Sequence, residues 1–110
     1  MEITQGATAL LTFPCTRGGV DLDLTTLTDV CFVLSGAGQE ITKKSGDTGW
    51  AIVSYGSGTD NALSITLSPA ETSPLQRGRL YQYWVWGSGT DGDDVMVNGW
   101  ATVNYAEKCT

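Results

Sequence analysis

The sequence predicts an all-β protein, a β-sandwich of about seven or eight short strands with one short helical turn. Three observations point there. Fifteen threonines, fourteen glycines and three prolines in 110 residues favour strands and turns over helices. Apolar residues recur with period two in several segments, as a strand with one buried face requires. Clusters of Gly, Ser, Thr and Asp separate those segments at the short intervals of a sandwich, and a closed small barrel is the structural alternative. Residues 1–110 are read as a single domain, because this length leaves no room for a second core.

The elements follow in order. In "ITQGATALLTFPC" the residues Ala7, Ala9, Leu11 and Phe13 alternate with Thr8 and Thr12, which marks a half-buried strand. "RGGVDLDLTTLTD" reads as a loop. "VCFVLS" is a short, nearly continuous apolar strand with Val30, Phe32 and Leu34 on one face and Cys31 and Val33 on the other. A short strand is expected around residues 39–44, then another at "WAIVSY", and then "NALSITL" with Leu63, Ile65 and Leu67 inward. "SPAETSP" carries the one helical signal: Ser68 as cap, Pro69 at the first helical position, Glu71 completing a capping box, and Pro74 ending it. "RLYQYWVW", "DVMVN" and "WATVNY" supply the last strands. "GSGTD" occurs at 56–60 and again at 87–91, each copy after an aromatic-ended strand, so both copies are expected to be hairpin tips.

Charge and composition exclude several functions. Six Lys and Arg against twelve Asp and Glu give a net charge of −6, which opposes binding to a nucleic-acid backbone. Lys43-Lys44 and Arg77/Arg79 are too small to form a basic patch. No apolar run approaches a membrane span, and the N-terminal residues lack the positive region of a signal peptide, so synthesis in a cytosol and no membrane partner are expected. Three cysteines, Cys15, Cys31 and Cys109, with no histidine argue against zinc. Reduced thiols are expected, with a Cys15–Cys31 bridge or an intermolecular bond through Cys109 as alternatives. Without histidine the usual Ser or Cys triads lose their base, and the acids are scattered among turns, so no catalytic residue is assigned and an enzyme is not expected.

Gly87, Gly89 and Gly92 in "WVWGSGTDG" match the glycine pattern of a dinucleotide loop. That loop works by opening a helix that receives the phosphates, whereas β-type residues and acids follow here. No cofactor is expected. Asp91, Asp93 and Asp94 could offer a weak surface calcium site, but a solvated acidic loop is the default, and no metal is assigned.

The most informative segment is "LYQYWVW". Alternation sends Tyr81, Tyr83 and Val85 to one face and Leu80, Gln82, Trp84 and Trp86 to the other. Trp100 has the parity opposite to Ala101 and Val103. If those two point inward, Trp84, Trp86 and Trp100 form an outward patch on one sheet, with Gln82 beside it. In the opposite reading the tryptophans are core and the tyrosines reach water through their hydroxyls.

Several short motifs resemble the small immunoglobulin-like domains of tailed-phage structural proteins, such as the N-terminal module of baseplate upper proteins. They are Thr8, Asp23-Leu24-Thr25, Leu67, Glu71-Thr72, Leu75, Gly78, Tyr81, Tyr83, Gly99 and Val103. The matches run over nearly the whole chain, each short and generic. Ala7 stands where that pattern has Asp, and a free-standing domain without a following fibre segment is expected. The resemblance implies an immunoglobulin-like sandwich with Leu75, Tyr81 and Tyr83 at a structural corner, tyrosines inward. It also implies a non-enzymatic phage or prophage virion protein, of baseplate, tail or capsid, made in the bacterial cytoplasm and acting by assembly with other virion proteins or with itself. The alternative is a carbohydrate-binding module in which the same aromatics stack on sugars, flanked by Gln82 and Asn98.

Overall fold

The computed structural model describes residues 1–17, 19–89 and 92–104. It is an immunoglobulin-like β-sandwich. One sheet holds β1 (Glu2–Thr4), β10 (Gly92–Asn104), β9 (Leu80–Gly89), β5 (Asp29–Gly36) and β6 (Gln39–Lys43), in that order. The other holds β2 (Ala9–Pro14), β8 (Ala62–Leu67) and β7 (Trp50–Val53). A two-residue hairpin, β3 (Thr16–Arg17) with β4 (Val20–Asp21), and a 3-10 turn (Leu24–Thr26) lie between β2 and β5. The chain therefore crosses between sheets after β1, β2, β6 and β8, the Greek-key path of this fold.

Alternation decides which side of each strand is inside. Ala9, Leu11 and Phe13 on β2 face Leu67, Ile65 and Leu63 on β8, and all six are buried. Across the core stand Val30, Phe32 and Leu34 of β5, Tyr81 and Val85 of β9, and Ala101 and Val103 of β10. The Phe13 ring meets Phe32 and Tyr83 at centroid separations of 5.3 and 5.2 Å, joining the two layers. Trp50 also lies between the layers, donating from Nε1 to the Val30 carbonyl at 2.9 Å.

The helical signal becomes α1 (Pro69–Thr72), one turn closed by the full Ser68–Glu71 capping box. Lys43, the inward-facing end of β6, is buried and pairs with Glu71 at 2.7 Å while donating to the Thr48 carbonyl at 2.8 Å. Burial raises the Glu71 pKa, but the Lys43 ammonium and the Ser68 N–H outweigh it and hold the carboxyl below its ordinary value.

Four sequence expectations change. The N-terminal segment is two strands, because Gly6 at φ 74° turns the chain and sends β1 to run parallel to β10. The 16–28 loop carries the β3–β4 hairpin and the 3-10 turn. "DVMVN" and "WATVN" are one strand, interrupted by a bulge between Val95 and Val97. The first "GSGTD" is a turn, with Gly56 and Asp60 at positive φ, but the second is not its counterpart. Gly87, Ser88 and Gly89 continue β9 and pair with Asp94, Asp93 and Gly92. Gly87 lies against the core side of the strand: a Cβ there would lie 2.8 Å from both Leu27 Cδ1 and Met96 Sδ, and those side-chain ends would have to shift. Residues 90–91 lie outside the described residues.

Candidate interaction face

The outer face of the five-stranded sheet is where strand parity, register and exposure converge. β9 turns Leu80, Gln82, Trp84 and Trp86 outward because Tyr81, Val85 and Gly87 are buried on the other side. On β10, buried Ala101 and Val103 fix Trp100 as outward. The bulge then shifts the parity of β10 by one residue: Met96 and Val97 both pack toward the core, and Val95 joins the outer face opposite Trp86.

Beyond an end row of Leu80, Thr102 and Glu2, pairing aligns these side chains in three rows across the sheet. One row is Glu40, Ser35, Gln82, Trp100; the next is Thr42, Val33, Trp84, Asn98; the third is Cys31, Trp86, Val95. Lys44, one residue past β6, continues the outward parity of Glu40 and Thr42 toward the third row. Its ammonium is near enough to act on the Cys31 thiol. Trp100 is 57% exposed, Leu80 54% and Trp86 38%, whereas Trp84, between Val33 and Asn98, is half-buried. Large apolar side chains at such exposure on a regular sheet form a contiguous surface rather than isolated exceptions.

The corner residues hold this sheet in place. Tyr81 is fully buried, and its hydroxyl accepts a hydrogen bond from the Gln76 N–H at 2.8 Å, a tyrosine corner tying β9 to the preceding loop. Leu75, also buried, plugs that loop into the core. Tyr83 is half-buried, its ring lying over Gly99, where a Cβ would meet the phenol oxygen.

Cys15 and Cys31 are both free, one in the core and the other on the outer face of the five-stranded sheet, so they form no bridge. Cys15 is in the core, where burial pushes its thiol up to about 11; Cys31 is on the outer face, raised by partial burial and by Asp29 and Asp47 against the opposing Lys44. Cys109 and Asp91 lie outside the described residues, as does the side chain of Asp93. Among the described residues no cluster of three or more His, Cys, Asp or Glu could hold a metal ion, and no helix is long and apolar enough to cross a membrane. The glycines of the dinucleotide-like pattern sit in the β9–β10 hairpin, with Gly89 paired to Gly92 and a strand following.

Sequence parity places Trp84, Trp86, Trp100 and Gln82 together. It does not bring in Val95, which depends on the bulge, or Glu40 and Lys44. The signal for the last two was the alternation of residues 39–44 beside the second face of "VCFVLS".

The fold and this face define an immunoglobulin-like β-sandwich that displays an aromatic sheet surface. No protein-family model matches the chain, and no curated protein is significantly similar to it. Among solved structures, AggA, the major subunit of aggregative adherence fimbriae type I from Escherichia coli, is similar at 16% identity over 96% of this chain and 89% of that one, with a TM-score of 0.33.

Proposed function

We propose that this chain is a non-enzymatic structural protein of a phage or prophage particle, in which the Trp84, Trp86 and Trp100 face becomes buried against another protein on assembly. The observation that carries the reading is the exposure of Trp86 and Trp100 on one regular, well-anchored sheet. The resemblance of its motifs to immunoglobulin-like domains of tailed phages supplies the setting, and the virion the location. Covering the exposed parts of these two rings removes roughly 240 Å² from water, about 6 kcal/mol before the cost of association. That gross term is comparable to the association cost, so a partner must cover the whole face and not the two rings alone.

The test is the double variant Trp86→Thr/Trp100→Thr, with co-purification against the structural proteins encoded beside its gene and sedimentation of the pure protein. The variant is expected to keep the wild-type melting temperature within about 4 °C and to lose association. Retained association in the folded variant would refute the reading. Gln82 and Asn98, placed among the rings, are the specific feature of the sugar-binding alternative. Glycan-array binding abolished by Trp100→Thr would replace assembly with that alternative.

A further inference from the structure

The three central rows of the outer face are complementary to themselves. We propose that the occupant of this face is a second copy of the chain, packed sheet to sheet about a two-fold axis that runs across the strands along the Trp84 row. The proposal rests on the assembly reading above and adds the partner and its register.

Rotation about that axis exchanges the rows on either side of it and keeps β10, β9, β5 and β6 each opposite its own copy. Glu40 then faces Lys44 of the second molecule, and Lys44 faces Glu40, so two opposite-charge pairs form at one rim, each set against the Asp29 and Asp47 carboxylates that flank Lys44. Trp100 faces Val95 and Trp86 faces Gln82, which sets large side chains against smaller ones, as interdigitation at the about 10 Å spacing of packed sheets requires. On the axis, Trp84 meets Trp84, where offset stacking suits aromatic pairs, and Asn98 meets Asn98, whose amides can exchange hydrogen bonds. The other in-plane axis, along the strands, preserves the rows. It would bring Glu40 toward the β1 edge that carries Glu2, acid near acid, and when centred on β9 would set both Trp84 and Trp86 on their own copies, where the first axis does so for Trp84 alone. The first arrangement therefore wins on charge and on shape.

Four strands, β10, β9, β5 and β6, overlapping over about seven or eight residues each, give roughly 500 Å² per copy, near 1,000 Å² in total, the lower bound of a specific interface. Each copy also carries a net charge of −6, so the pairs at the rim work against mutual repulsion. A weak, concentration-dependent dimer is the expected form.

Sedimentation velocity from about 1 μM to about 1 mM at physiological ionic strength tests this. Wild type is expected to dimerise within that range. Glu40→Lys and Lys44→Glu are each expected to weaken the dimer by about tenfold or more, since each turns two attractions into two repulsions. An equimolar mixture of the two single variants is expected to form a heterodimer near wild-type strength, because every facing pair is again of opposite sign. That recovery also shows that both variants are folded. A strict monomer at the top concentration overturns the second copy as partner, while the double Trp variant still decides the assembly reading against other proteins. A dimer indifferent to the charge reversals, or a mixture that does not recover, overturns the register.

Discussion

Replacing Tyr81 with Phe isolates the hydroxyl that anchors the aromatic sheet. The ring is fully buried and packs directly over Gly36, whose added Cβ would lie 2.8 Å from Tyr81 Cδ1. Phenylalanine keeps that packing and removes one oxygen. What is lost is the 2.8 Å bond from the Gln76 N–H, a partly buried donor in the turn between α1 and β9. A donor left without its acceptor costs about 1–3 kcal/mol, and the partial burial of Gln76 places the loss near the lower half, about 1.5 kcal/mol. For a chain of 110 residues the unfolding entropy is about 0.23 kcal/mol/K, so the melting temperature falls by about 6 °C. Thermal unfolding followed by circular dichroism reads this directly. Because the turn sets where β9 begins, the loss belongs to the whole sandwich and the transition stays single. A melting temperature within about 2 °C of wild type would refute the corner as an energetic anchor.

The pair between Lys43 and Glu71 sets a pH dependence. Glu71 titrates below its ordinary value of 4.5 in the folded protein, so its contribution is present above the unfolded value and is lost as pH falls through the lower folded value. Urea midpoints measured between neutral pH and pH 3 are expected to decline more steeply in wild type than in Glu71→Gln; parallel curves would sink the assignment. The thiols give another measurement. In a Cys109→Ser background at pH 8, a thiol reagent is expected to modify half-exposed Cys31 slowly and Cys15 only on unfolding, since burial holds that thiol near 11. Simultaneous labelling of both in the native protein would contradict the placement of Cys15 in the core.

Much of the architecture was legible because one face of nearly every strand is buried, and burial imposes period two. Val30, Phe32 and Leu34, or Leu63, Ile65 and Leu67, announce their side without reference to any partner. The parity of Tyr81 against Trp84 was equally plain. Its direction was not, because both sets are large and apolar, and composition alone does not say which the core accepts. The hydrogen bond to the Gln76 backbone and the small residues Gly36 and Gly99 beneath the phenols decide it, and those contacts join residues from separate elements. Glycine misled at 87–89 for a related reason. It was read as a turn former, yet Gly87 lies within β9 and packs beneath the ends of Leu27 and Met96, which only the folded sheet reveals. β1 was missed because three residues pairing with β10 from the far end of the chain leave no periodic signal.

The bulge at Val95 and Val97 shows why the face and the core have to be considered together. Without it, strict alternation from Val103 through Ala101 and Val97 would send Val95 inward and Met96 to the surface beside Trp86. The extra residue lets Met96 fill the space over Gly87 while Val95 enlarges the outer face. One irregularity thus serves two surfaces, and the side chain it adds to the outside is the one opposite Trp86 in the row that self-complementary packing needs. A strand shaped only by its own core would gain nothing by exposing valine there, since an outward polar residue would satisfy the same backbone. An apolar residue recruited by a bulge to a row already holding a tryptophan fits a surface that spends its working life covered.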